Sequence, residues 1–244
     1  MTVIQAQDLT GSMVALVTPM DEKGQIDFAQ WENLINWHIK SRTDALIVAG
    51  TTGESAMLSE KEFEELIRTC KQVCEGTGIK IIAGTGAITP EAVIRKNRLA
   101  HNLGADAVLV VTPYYIRVTQ NALIAHFHNI ADQSELPLVL YNVPSRTGMD
   151  IATETTQTLS KHPNIIGLKE AKPDMHRIAT LAKIKDFSVL SGDDDSFLEA
   201  MKLGAEGVIS VAANIRPKTT KAICTAMQLG DTNLAESLNN SLSD

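Results

Sequence analysis

Ile165-Ile166-Gly167-Leu168-Lys169 is a short apolar run that closes on a cation. Seven more runs of the same kind are spread along the chain: Met13–Val17, Ala45–Ala49, Ile79–Ala83, Ala107–Val111, Leu136–Tyr141, Phe187–Ser191 and Gly207–Val211. They are brief, rich in β-branched residues and almost continuously apolar. A strand in a parallel sheet covered on both faces needs that pattern. Successive side chains on a strand alternate between faces. An inward Lys169 therefore predicts inward Gly167 and Ile165, with Ile166 and Leu168 facing helices.

Helical patterns fill the gaps. Ser59 and Glu62 form a capping box ahead of Phe63, Leu66 and Ile67. Thr89-Pro90-Glu91 supplies an N-cap, a proline at the first helical position and an early acid. Leu103-Gly104 and Leu203-Gly204 read as helix stops before strands. Eight strands alternating with helices predict a closed (β/α)8 TIM barrel, with the catalytic domain over residues 1–230. A helix over Pro217–Leu229 follows the last strand. Residues 231–244 read as the start of a shortened C-terminal helical extension. No strand opens into a G-x-G-x-x-G turn, since Gly84-Thr85-Gly86 has only its first half, which argues against dinucleotide binding.

The chain has 244 residues, 44% of them hydrophobic, enough for a large core. Its net charge of −7 argues against a nucleic-acid or anionic-membrane partner. Cys70, Cys74 and Cys224 cannot close a disulfide framework; Cys70 and Cys74 read as reduced residues packed on a helix. Met1–Leu9 lacks the basic flank and apolar run of a secretory signal, and no run approaches the ~18 residues of a membrane span, so a cytoplasmic protein is expected.

Reactive groups in a barrel stand where strands end at the C-terminal face. Lys169 closes the sixth run, and a lysine desolvated there can attack a carbonyl; it could equally reach solvent or pair with Glu170. Tyr141 closes the fifth run, where a phenol can relay protons or cap the core. Arg146 follows in a loop, with a guanidinium suited to a carboxylate. Gly50-Thr51-Thr52-Gly53-Glu54-Ser55 offers hydroxyls and backbone amides to a small anion. All three tyrosines, Tyr114, Tyr115 and Tyr141, follow or close a run, which favours function over packing. Asp193-Asp194-Asp195 could cap the next helix or hold Mg²⁺; the cap is favoured, because no His or further acid converges from another strand end. His126 and His128 diverge on a helix and make poor joint ligands.

These segments together resemble the pyruvate-dependent Schiff-base lyase and synthase family that includes N-acetylneuraminate lyase and dihydrodipicolinate synthase. The resemblance runs from Gly11 to about Asn214. It rests on GTTGES at Gly50–Ser55, AGTGA at Ala83–Ala87, TPYY at Thr112–Tyr115, YNVPSRTG at Tyr141–Gly148, GLKEA at Gly167–Ala171, SGDD at Ser191–Asp194 and GVISV at Gly207–Val211. Gly-Thr-Thr-Gly and Arg146 point to the synthase branch. The resemblance implies a Schiff base between Lys169 and pyruvate, and attack of the enamine on L-aspartate 4-semialdehyde to give 4-hydroxy-tetrahydrodipicolinate. It implies a proton relay of Tyr141, Thr51 and Tyr115, with Tyr115 supplied by an adjacent subunit. It further implies Thr52 on the pyruvate carboxylate, Arg146 on the aldehyde's carboxylate, and Gly192 and Ile209 lining the pocket. No cofactor or metal is implied, and the partners are the two substrates and further copies of the chain, a dimer within a tetramer. Another Schiff-base aldolase of the family, acting on sialic acid or a 2-keto-3-deoxy sugar acid, and an inactive truncated barrel are the alternatives.

Three departures stand out. Ile116 and Val118 replace the family's usual asparagine and proline after the tyrosine pair. Lys172-Pro173 replaces a Thr-Gly pair, and the family's further C-terminal helices are not in this sequence. Regulated members bind lysine in an interface cleft near the tyrosine pair. Ser55, Glu91 and Tyr114 are retained there, but Ile88, Glu60 and Phe63 stand where polar partners are usual, so the resemblance implies weak or absent inhibition by L-lysine.

Overall fold

A computed structural model of the chain describes residues 4–242. Met1–Val3 and the last two residues of the predicted extension, Ser243 and Asp244, lie outside the described residues. Eight parallel strands, β1 (Gly11–Ala15), β2 (Ala45–Val48), β3 (Lys80–Gly84), β4 (Ala107–Val111), β5 (Leu138–Asn142), β6 (Ile165–Glu170), β7 (Ser188–Ser191) and β8 (Gly207–Ser210), close in sequence order, with β8 pairing back to β1. The predicted (β/α)8 barrel is therefore the observed fold.

Between the strands lie α1 (Phe28–Lys40), α2 (Glu60–Val73), α3 (Pro90–Asn102), α4 (Gln120–Asp132), α5 (Pro144–Thr147), α6 (Thr153–Leu159), α7 (Met175–Leu181) and α8 (Phe197–Lys202). After β8 come α9 (Pro217–Gln228) and α10 (Thr232–Asn240). The start signals act as read: the Ser59 and Glu62 side chains exchange hydrogen bonds with each other's backbone amides, and the Thr89 hydroxyl accepts from Ala92 N–H. The last helix packs on α8 and α9, burying Ala235 beside Ile223 and Cys224. Cys70, Cys74 and Cys224 are buried and free. Among the described residues no helix is long and apolar enough to cross a membrane.

The core has two main layers. Leu46, Leu140 and Leu168 pack outward against helix residues such as Trp31 and Phe127. Met13, Ile47, Leu109, Val139 and Ile209 fill the barrel, and Leu9 joins them from the N-terminal segment. The Ser188 hydroxyl donates to the Leu9 carbonyl at 2.7 Å and ties that segment down.

One expectation fails in β6. Ile165 lies in the outer layer and Ile166 inside the barrel, the reverse of simple alternation. Leu138 pairs with Ile165, but the next residue, Val139, pairs with Gly167, so Ile166 is an extra residue in the ladder. A bulge of this kind shifts the face of everything on one side of it. Beyond it the register is regular: Tyr141 pairs with Lys169 and Asn142 with Glu170. Val17, expected in the first strand, lies beyond the end of β1 and is partly exposed.

Candidate active site

Register sets the centre of the site. Because Tyr141 and Lys169 are direct neighbours on β5 and β6, both side chains enter the barrel mouth together. The Lys169 Nζ lies 4.5 Å from the centroid of the Tyr141 ring. Lys169 is only 3% exposed. Burial is the main reason its amine is lowered from 10.5 to about 8; Asp194 opposes the shift and Arg146 adds to it. Burial also raises the Tyr141 phenol, while the Thr51 hydroxyl and Arg146 pull it back.

The possible pairing of Lys169 with Glu170 does not occur. Glu170 faces the opposite side and is buried against Arg177, whose Nε donates to it at 2.6 Å. The Asn142 amide and the Lys172 N–H also donate to this carboxylate. The guanidinium continues to Thr153 and Thr156. Thus, among the described residues, one strand end carries inward a buried amine with no hydrogen-bond or ion-pair partner and outward a buried acid held by three donor residues.

Gly192 follows β7 and is required by the lysine. A Cβ there would come within 2.8 Å of the Lys169 Cε and 3.0 Å of its Cγ. The aspartates after it are engaged with backbone. Asp193 accepts from the N–H of Ser196, the residue before α8, and from no amide of the helix's first turn, so the expected cap is not formed. Asp194 instead accepts from Val211 N–H and Ala212 N–H, both at 2.9 Å, and so ties the β7 loop to the β8 loop. Sequence reading grouped Asp194 with the cap, because its partners lie on another loop. Ile209 is buried inside the barrel on β8.

A cavity of about 270 Å³ opens beside this centre. Its wall includes Thr51, Tyr141, Arg146, Val111, Tyr114 and Lys96. Lys169, Thr52, Gly192 and Ile209 are not on that wall; the cavity reaches the lysine through the Tyr141 ring lying against it. The Thr51–Ser55 turn is pinned by the Thr18 hydroxyl, which donates to the Gly53 carbonyl, and a Cβ at Gly53 would strike the Leu16 carbonyl at 2.8 Å. Arg146 sits on α5, the single turn begun by Pro144, with its side chain exposed toward the cavity.

Tyr115 is the exception. It is 95% exposed and its φ is +70°, a region that costs a bulky L residue about 1–2 kcal/mol. It makes no part of the cavity, whereas its neighbour Tyr114 does. Sequence reasoning missed Lys96 altogether, since a lysine on an amphipathic helix carries no signal of what its amine approaches.

Comparison with known proteins adds to this geometry. The chain matches the family model "Dihydrodipicolinate synthetase family" over residues 8–244. It is 46% identical to the 4-hydroxy-tetrahydrodipicolinate synthase of Alkaliphilus oremlandii, over 91% of this chain and 76% of that protein. Among solved structures it resembles dihydrodipicolinate synthase from Aquifex aeolicus, with a TM-score of 0.93, 41% identity, and coverage of 97% of this chain and 81% of the other. It also resembles the chloride-inhibited dihydrodipicolinate synthase of Acinetobacter baumannii complexed with pyruvate, with a TM-score of 0.92, 44% identity, and coverage of 95% and 80%.

Proposed function

This chain belongs to the dihydrodipicolinate synthetase family and is a lyase with 4-hydroxy-tetrahydrodipicolinate synthase activity, and from that premise we propose how its residues divide the reaction. The substrates are pyruvate and L-aspartate 4-semialdehyde, and Lys169 is the nucleophile. With its amine lowered to about 8, roughly a tenth is neutral at pH 7, far more than an ordinary lysine supplies. The neutral amine adds to the pyruvate C2 carbonyl, and loss of water leaves the imine. A proton leaves C3, and the resulting enamine forms a carbon–carbon bond to the aldehyde carbon. The semialdehyde's amino group then closes the ring at the imine carbon and displaces the lysine.

Tyr141 is the proton carrier. Its raised phenol stays protonated near neutrality and can donate to the departing hydroxyl, with Thr51 next in the relay. Thr52 receives the pyruvate carboxylate, while Gly192 and Ile209 shape the pocket. Arg146 takes the semialdehyde carboxylate. Tyr115 completes the relay in a second copy of the chain, in a dimer within a tetramer; its exposure and left-handed backbone support that reading, because neither has a return within one chain. Three free, buried cysteines suit a reducing compartment, which supports a cytoplasmic enzyme.

The buried Lys169–Tyr141 pair carries the proposal. Borohydride reduction in the presence of pyruvate should fix an adduct on Lys169, read by peptide mass spectrometry. Lys169→Ala should abolish it. An adduct on a different lysine, or turnover without Lys169, would sink the reading.

A further inference from the structure

Helix α2 ends on a pair of thiols that the reaction does not use. Cys70 lies in its last turn and Cys74 is its C-cap, so the two stand one helical turn apart on one face. The turn between them is intact, with the Cys74 N–H donating to the Cys70 carbonyl at 3.0 Å. Both side chains are buried and neither is in a disulfide. They touch, the Cys70 S–H donating to the Cys74 sulfur. That bond is the largest cause of a lowered Cys74 thiol and of a Cys70 thiol pushed well up. Lys71 assists the shift at Cys74, while burial and Asp106 oppose it.

The two sulfurs differ in access. Cys70 is 0% exposed and Cys74 is 6% exposed. Beyond Cys74, residues 75–78 are all exposed, with positive φ at Gly76 and Gly78 and open space around both. A reagent arriving from solvent therefore meets Cys74 first. Helix geometry sets the two Cα atoms about 6 Å apart, inside the roughly 4.4–6.8 Å that a disulfide spans. The Cβ atoms stand about 5–6 Å apart and must close to about 4 Å. Cys74 can make that movement, because it is the cap of the helix and an exposed two-glycine turn follows it. Cys224 lies in α9 within a separate apolar cluster that holds no second thiol among the described residues.

We propose that Cys70 and Cys74 form an oxidisable dithiol, in which Cys74 meets a hydroperoxide and Cys70 then closes a reversible disulfide within the end of α2. The Cys74 thiolate attacks one peroxide oxygen, the O–O bond breaks, and hydroxide leaves with the bonding pair. The Cys70 sulfur attacks the resulting Cys74 sulfenic acid. The S–S bond forms, the S–O bond breaks, and the Cys70 proton leaves with the hydroxide as water. The dithiol loses two electrons and the peroxide is reduced to water. A bridge closed by drawing in a helix end is strained, so thiol reductants reopen it readily. The pair sits where α2 hands the chain to β3, at the barrel face opposite the strand ends that carry Tyr141 and Lys169. Its oxidation is therefore independent of the proposed Schiff base.

Hydrogen peroxide at neutral pH should remove two of the three free thiols of the folded wild type and lower its mass by two hydrogens. Trypsin cuts after Arg68, Lys71 and Lys80, so the product should appear as residues 69–71 bridged to residues 72–80, and dithiothreitol should separate them. Cys70→Ser keeps a hydroxyl donor but cannot close the bridge, so it should stop at a Cys74 sulfenic acid trapped by dimedone. In that variant Cys74 should react at least tenfold faster than Cys224. Cys74→Ser should lose the bridge and leave Cys70 unreacted over the same period, whereas Cys224→Ser should form the bridge as the wild type does. Thermal unfolding before and after peroxide reports whether each chain is folded, and the wild-type measurement stands without the variants. Absence of the bridged peptides from folded wild type, a dimedone adduct on Cys70 in Cys74→Ser, or oxidation of Cys224 as fast as Cys74 would each overturn the proposal.

Discussion

The ends of β5 and β6 and the loop after β4 share one rim but are built on opposite terms. Tyr141 and Lys169 are placed by ladder register, covered by the barrel's own residues, and backed by Gly192. Tyr115 is held by no ladder, stands in solvent, and occupies a backbone region that disfavours its side chain. The first region is finished by the chain's own folding. The second has an exposure and a backbone strain that the proposed role of Tyr115 across a subunit boundary accounts for.

The sharpest way to break this contrast is a mixing experiment. Tyr115→Phe should lower turnover by about two to four decades, the usual worth of a positioned acid/base. Mixed with Lys169→Ala under conditions of subunit exchange, it should regain activity, because a hybrid dimer has one pocket with both groups. Neither parent should regain it alone. Exchange without rescue would place Tyr115 in its own chain's site and erase the distinction.

The buried region is tested through its outward acid. Removing Arg177 leaves the Glu170 carboxylate in the core with only the Asn142 and Lys172 N–H donors. Breaking a buried pair costs about 3–5 kcal/mol. Arg177→Met should therefore lower the melting temperature markedly, whereas Tyr115→Phe should leave it nearly unchanged. Equal effects would mean that the two regions are not energetically different.

Lys169 has a cost of its own. A shift from 10.5 to about 8 corresponds to about 3 kcal/mol against the charged form. Below pH 8 the amine is protonated in both folded and unfolded chains, and the whole cost is present. Between about 8 and 10.5 the folded chain releases its proton first, so wild-type stability rises with pH. Lys169→Met should thus be more stable than wild type below pH 8, with the advantage fading by pH 10.5. Chemical denaturation across that range measures it, and a pH-independent difference would assign the effect to packing instead.

How much of this was legible in the residues depends on the range of the signal. Eight apolar runs and the caps at Ser59 and Thr89 are local, and they predicted the barrel. Lys169, Tyr141, Thr51 and Arg146 were singled out because strand ends are the positions where reactive groups gather. The bulge at Ile166 was not legible, since it is a mismatch between two strands and appears in neither one alone. Asp194 was grouped with its neighbour because its amide partners lie on the next loop. Lys96 was invisible because the wall it reaches is assembled from four separate segments. The left-handed Tyr115 is a backbone fact, and the residue type argues against it rather than for it.

Arg146 falls between the two regions, and its variant sharpens the boundary. It belongs to a short helical turn over the rim, its side chain is exposed, and yet its charge reaches both Lys169 and Tyr141. Arg146→Ala should remove the grip on the semialdehyde carboxylate and cost roughly 1.5–3 kcal/mol, one to two decades in that substrate's KM. The lost positive charge also acts on the lysine. Arg146 lowers the Lys169 amine, so without it the amine should titrate higher, and the pH at which pyruvate trapping reaches half its maximum should move up. Trapping at saturating pH should persist. Steady-state kinetics with each substrate varied, together with a trapping profile against pH, separate these effects. If the variant loses pyruvate trapping at every pH and keeps its KM for the semialdehyde, Arg146 serves the buried centre and the two carboxylate positions must be exchanged.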